Sequence, residues 1–207
     1  MHPNPAFRPT TQDESLALAR ELGFGMLAVS QADAAPMISH VPFLVSDDGS
    51  FAELHLVRSN PIARALTTPL PARLAVQGPH SYISPDWYGV EDQVPTWNYL
   101  AMHFTGRVVP MDAADLPGVL QRLSAHFEAR LAPKPEWLMD KLPSDAAARM
   151  MRQIAPFRFE IDSVESTWKF SQNKPDAARL GAADLVAAYG IGSETRLLSA
   201  MMRKPPE

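Results

Sequence analysis

The chain has 207 residues, 46% of them hydrophobic and 20% charged, a composition that suits one globular domain and excludes a disordered or fibrous chain. It contains no cysteine, which excludes disulfides and thiolate metal sites, and no apolar run reaches the ~20 residues that a spanning helix needs. The formal net charge of −4 gives no support to DNA binding and leaves a local basic patch as the only electrostatic route to it. Met1 to Arg8 carries no signal-like apolar run, so a cytoplasmic protein with no membrane association is expected.

Residues 1–10 hold three prolines and read as an extended segment. Thr11-Gln-Asp-Glu14 fits a capping box, and Leu16, Ala19 and Leu22 then share one helical face before Gly23. Gly25 to Ser30 and Met37 to Val45 read as strands, and Asp47-Asp-Gly49 is a hairpin turn into a third strand from Phe51 to Val57. Asn60 and Pro61 start a short helix over 62–67, the first as cap and the second at the first helical position. A fourth strand spans Arg73 to Gly78, and residues 79–93 read as a long loop whose Tyr82, Trp87 and Tyr88 suit a binding or lid segment.

The stretch from Trp97 to Thr105 is rich in aromatic and β-branched residues and predicts a strand running on to Val109. Alternation places Asn98, Leu100, Met102 and Phe104 on one face, an ordinary core face, and Trp97, Tyr99, Ala101, His103 and Thr105 on the other. The second face is either plain core or a platform for something flat with polar edges. From Ala113 the period becomes helical, Pro133 and Pro135 interrupt it, and Trp137–Leu142 and Ala146–Ile154 read as shorter helices within an insertion over 113–155. Phe157 to Val164 alternates as a strand extending to Lys169, and the tail over 174–203 is helical with a break at Gly190 to Gly192. Strands in succession without a βαβ alternation predict a single domain over 1–207, mostly β with peripheral helices (α+β), built on a small antiparallel barrel.

Several chemistries are absent. The sequence has no Gly-x-Ser-x-Gly elbow, no His-Glu-x-x-His and no phosphate loop, and its histidines are never three or four apart on a predicted helix, so no metal site is expected. The tail has the rhythm of a helix-turn-helix, but its second helix offers only Arg196, then Arg203 and Lys204, and it reads better as a packing helical hairpin. Arg58, Ser59 and a helix start at Asn60 follow directly on a strand, a grouping that suits one phosphate, and Ser39 and His40 add donors from the neighbouring strand. Trp168 to Lys174 gathers a ring, two ammonium groups, a hydroxyl and two amides. With the aromatic face at 97–103 these stretches suggest a pocket for a planar ring that carries a phosphate, the shape of flavin mononucleotide.

Tyr82-Ile-Ser-Pro-Asp-Trp-Tyr88, Val94-Pro-Thr-Trp-Asn-Tyr99, Lys169-Phe-Ser-Gln-Asn-Lys174 and His55-Leu-Val-Arg-Ser-Asn-Pro61 together resemble the PaiB-type FMN-binding family of negative transcriptional regulators. That family is similar to the pyridoxamine-phosphate oxidases and flavin-reductase-like split barrels. The resemblance implies a six-stranded split β-barrel and a homodimer with FMN in clefts at its interface. It implies phosphate contacts from Ser39, His40, Arg58, Ser59 and Asn60, ring contacts from Trp97, Asn98 and Tyr99, and Lys169, Ser171 and Gln172 contributed by the partner subunit. Phe170 stands where the family more usually has Leu. The function implied is transcriptional regulation, direct or indirect; the alternative is a flavin-dependent oxidoreductase of unknown substrate, with His103 or Tyr82 as proton donor.

Overall fold

Thr11 and Glu14 cap the first helix reciprocally: the Thr11 amide donates to Glu14 Oε2 at 2.8 Å and the Glu14 amide to Thr11 Oγ1 at 3.2 Å. The computed structural model describes residues 1–206. The elements that follow are α1 (Gln12–Leu22), β1 (Phe24–Gln31), β2 (Ala34–Val45), β3 (Phe51–Val57), α2 (Pro61–Ala65), β4 (Leu70–Ile83), β5 (Thr96–Pro110), α3 (Leu116–Glu128), α4 (Ser144–Met151), β6 (Ile154–Lys169), α5 (Asp176–Tyr189), β7 (Gly192–Ser193) and α6 (Thr195–Arg203). The hydrogen-bonded order is β1-β2-β3-β6-β5-β4-β7, and β4 pairs again with β1, so six strands form a ring. The pairs β1–β2, β1–β4, β2–β3, β3–β6 and β4–β7 are antiparallel. The fold is a mostly antiparallel sheet with peripheral helices, as the sequence predicts.

The chain divides into two compact units interleaved along its length. The larger comprises Leu16–Ala75 and Phe104–Val164. Leu27, Phe43, Leu54, Leu74, Phe104 and Phe159 are fully buried in it, each from a strand whose alternate residues face outward. Side-chain bonds tie its helices to its strands: Arg20 Nε on α1 donates to the Val45 carbonyl at 3.0 Å, and Arg122 on α3 forks onto the Glu53 carboxylate of β3 at 2.7 and 2.9 Å. At Gly106 the backbone of β5 lies so near β6 that an added Cβ would stand 1.8 Å from the Glu160 carbonyl oxygen. The strand passes through Gly106 and continues to Pro110, so the glycine marks a close approach of two backbones.

The second unit comprises Met1–Ser15, Val76–His103 and Glu165–Glu207. Leu100, Met102, Ile83, Phe170, Val186 and Leu198 are its fully buried apolar side chains of most weight. Its two helices form a packed hairpin, as the tail's sequence predicts. Ser199 Oγ donates to the Ala183 carbonyl at 2.7 Å, and the buried Arg179 donates to the carbonyls of Met202 and Arg203 at the end of α6. The turn between them is pinned to the sheet, since Gly192 and Ser193 pair with Ser81 and His80 of β4.

Several element bounds shift by a few residues, and three differences from the sequence reading have a clear physical reason. Residues 79–83, read as loop, continue β4: burial falls on Leu74 and Val76, slips phase at Gly78, and resumes on Pro79, Ser81 and Ile83. A proline and a phase slip together hid the strand. The helix expected over 137–142 is a single 3-10 turn at Met139–Lys141. The helix expected to reach Ile154 stops at Met151, because Ile154, Ala155 and Pro156 pair with Val57, Leu56 and His55.

Candidate functional site

The first cluster of candidate residues lies in the larger unit. Asn60 caps α2: its Oδ1 accepts from the Ile62 amide at 2.9 Å, and its Nδ2 donates to Ser39 Oγ at 3.0 Å, which ties α2 to β2. Ser39 Oγ therefore accepts from Asn60 and keeps its own hydroxyl proton for a further partner. Arg58 and Ser59 are exposed. Arg58 Nε donates to the Arg152 carbonyl at 3.0 Å, which fixes the guanidinium and leaves its Nη edge for a second acceptor. His40 is exposed and stacks on Phe24, with ring centroids 6.3 Å apart and 20° between planes. Phe24 and Ile38 stand 56% and 57% exposed, so this end of β1 and β2 presents an apolar outer surface.

His55, on β3 beneath this cluster in sequence, is half-buried, and burial pushes its imidazole below the usual histidine range. Its Nδ1 has no hydrogen-bond partner among the described residues. A depressed pKa in the folded state means that the unfolded chain takes up the proton first. Stability from this group is thus complete above about pH 6.5 and lost as pH falls from there through the folded value. Urea unfolding at pH 7.5 and 5.5 is expected to show a larger drop for the unaltered protein than for His55→Gln; equal drops would mean that His55 does not titrate on unfolding.

The second cluster lies in the other unit. Trp97 is 46% exposed, with Tyr82 edge-on to it and His80 tilted against it, each with centroids 6.1 Å away. Tyr99 shares that face by alternation and is half-buried. Asn98 points the other way and is fully buried. Its Nδ2 donates to Ser171 Oγ at 2.8 Å, and the Tyr88 hydroxyl meets the same oxygen at 2.8 Å. Burial pushes the Tyr88 phenol up, with the Ser171 bond acting against it. Ser171 itself adopts φ +62°, a left-handed conformation that turns the chain after β6. Gln172 folds back on that turn, accepting from the Phe170 amide at 2.7 Å and donating to the Trp168 carbonyl. Lys169 Nζ donates to Thr96 Oγ1 at 2.6 Å, and burial, then the charge of Lys174, hold its ammonium below the usual lysine range.

The structure thus brings Ser39 together with Asn60, and Asn98 together with Ser171, and it aims Asn98 inward and Trp97 outward. Tyr88, which the sequence reading placed in a binding or lid segment, is buried and secures Ser171. Thr96, which receives Lys169, was missed in the sequence. Only the position of Thr96 at the start of the aromatic strand hinted at it.

The family described as "Putative FMN-binding domain" matches residues 1–163. The protease synthase and sporulation protein PAI 2 of Bacillus subtilis (strain 168) is 28% identical over 170 residues, covering 81% of this chain and 80% of its own length. Among solved structures, the FAD and heme binding protein from Mycobacterium smegmatis superposes with a TM-score of 0.59 at 15% identity, over 90% of this chain and 82% of that one. The flavocytochrome Anf3 from Azotobacter vinelandii gives 0.54 at 12% identity, over 82% and 72%. At such identities the two structures show a shared split-barrel fold, a ring of six strands that is not a perfect barrel. The family match spans most of the chain and agrees with the PAI 2 alignment, and on both grounds the chain belongs to the PaiB-type FMN-binding family, with FMN as its cofactor.

Proposed function

We propose that the whole chain, residues 1–207, works as one flavin-binding domain in a cytoplasmic homodimer that regulates transcription, directly or indirectly. The observation that carries the reading is the family match over residues 1–163, and the regulatory part rests on the similarity to PAI 2. The side chains fit the two ends of FMN in chemistry. For the phosphate there are a hydroxyl with a free proton at Ser39, a guanidinium edge at Arg58, the Ser59 hydroxyl and the His40 imidazole, with Asn60 holding Ser39 in place. For the ring there are the exposed indole of Trp97, the Tyr99 ring, the Lys169 ammonium and the polar turn of Ser171 and Gln172, with Asn98 bracing that turn from below. FMN, when bound, supplies reversible one- or two-electron chemistry, and the protein's part is to orient it and set its electrostatics. The exposed apolar surface at Phe24 and Ile38 supports pairing of two copies.

Among the described residues no helix is long and apolar enough to cross a membrane. DNA has no support from the net charge of −4, so regulation through a small molecule or a protein partner is the more economical form of the proposal.

Arg58→Ala is expected to weaken FMN binding by roughly 1.5–3 kcal/mol, the worth of a hydrogen bond to a charged group. Titration of the flavin-free protein with FMN, followed by quenching of flavin fluorescence, measures it, and unchanged affinity would remove Arg58 from the site. Light scattering after gel filtration tests the dimer. Salt-sensitive retardation of a promoter fragment would favour direct regulation, whereas bleaching of the bound flavin by NADH or NADPH would favour the oxidoreductase alternative.

A further inference from the structure

Within the larger unit, a cavity of about 510 Å³ opens between α1, α3 and the outer side of β2 and β3, and none of the residues assigned to FMN lines it. Three guanidiniums face it, those of Arg20, Arg122 and Arg158, together with the His126 ring. They are unevenly matched with anions. Glu53 is 5% exposed and takes Arg122 through both oxygens, while Arg158 Nη2 reaches the same carboxylate only at 3.6 Å. One carboxylate thus serves two cations. Arg20 has Asp47 at 3.5 Å, but the Asp47 side chain is wholly in solvent, where such a pairing counts for little.

Arg158 is the most telling of the three. Its guanidinium lies over the Phe51 ring, 4.1 Å from the centroid, and its Nε is buried with no hydrogen-bond partner among the described residues. Its side chain is 40% exposed and its Nη2 has only the loose 3.6 Å pairing with Glu53, so the terminal edge of a guanidinium already positioned over a ring is left for an oxygen acceptor. Leu44 and Phe51 supply an apolar wall beside it. Arg122 and Arg158 also border an adjoining recess of about 270 Å³ with Met111 and Gly118, so the cationic pair separates two openings.

We propose that this cavity binds a small organic anion, a single carboxylate or phosphate group carried on an apolar body. The anionic group meets Arg158 and the outer edge of Arg122, and the body lies against Leu44 and Phe51. The volume suits such a ligand, since small-molecule sites run from roughly 300 to 1,000 Å³. The site is independent of FMN, so its ligand and the flavin can be bound at once.

Calorimetric titration of the FMN-loaded protein with benzoate and with phenyl phosphate tests the proposal, with inorganic phosphate and benzyl alcohol as headgroup-only and body-only controls. Saturable binding of benzoate or phenyl phosphate is expected, at least tenfold tighter than either control. Arg158→Gln should weaken it at least tenfold while leaving FMN affinity unchanged, which separates this site from the flavin site. Should that variant fail to fold, proton NMR of the unaltered protein decides: benzoate should shift the ring signals of His126 and leave those of His80 in place. Absence of saturable binding, binding indifferent to Arg158→Gln, or movement of His80 without His126 would overturn the site. Inorganic phosphate binding as tightly as phenyl phosphate would overturn the apolar body.

Discussion

Gly106→Ala is expected to lower the free energy of unfolding by about 4 kcal/mol or to prevent folding altogether. The methyl group would stand 1.8 Å from the Glu160 carbonyl oxygen and 3.0 Å from its carbon, with the Phe159 ring at 3.2 Å. The obstacle is backbone, so no rotamer change relieves it. β5 and β6 would have to part by more than an ångström in a region where Phe104, Val108 and Phe159 are fully buried, and close-packed side chains cannot follow such a shift without opening voids. Gly89→Ala is the matched control. Gly89 has φ +61° but open space around its Cβ position, so its replacement carries only conformational strain, about 1–2 kcal/mol. Urea unfolding of both variants makes the comparison. Equal losses would show that the close approach at Gly106 carries no energetic weight.

Asn98→Ala is the second large effect, about 3 kcal/mol. The side chain is fully buried, and its loss removes its bonds with Ser171 Oγ and leaves a cavity. Tyr88→Phe deletes one partner of the same oxygen and is expected to cost about 1–1.5 kcal/mol. The three groups share one oxygen, so the double variant should be non-additive, and additive losses would refute a common node. The consequence reaches the proposed ring contacts. Ser171 holds a left-handed turn between Lys169 and Gln172, and a turn freed from Asn98 loses its fixed geometry. FMN affinity should therefore fall in Asn98→Ala even under conditions where the variant remains folded.

Much of the fold could be read from local chemistry. The reciprocal cap at Thr11 and Glu14, the Asn60–Pro61 helix start and the alternation of β5 all rest on neighbours in sequence, and all three are present. The readings that shifted depend on distant partners. Gly78 looks like the end of a strand and Pro79 like loop until Ser81 and His80 are seen paired with β7, more than a hundred residues later in the chain. Ile154 fits a helix until Val57 pairs with it. For the candidate site, alternation alone set Asn98 on the core face, and the structure keeps it there with Ser171 as its partner. What the sequence could not convey was the second partner of each polar group: that Ser39 answers Asn60, that Lys169 answers Thr96, and that Glu53 must serve two arginines.

The interleaving of the two units has a consequence for biosynthesis. Everything in the larger unit has been translated once residue 164 is made, whereas the other draws on Met1–Ser15, Val76–His103 and the stretch from Glu165 onward. On the ribosome the first can close while the second still lacks Ser171, the last member of its buried polar node. The segment that brings Lys169, Ser171 and Gln172 is made only after the whole of the larger unit, so the proposed ring contacts of the cofactor site are completed after that unit has been synthesised.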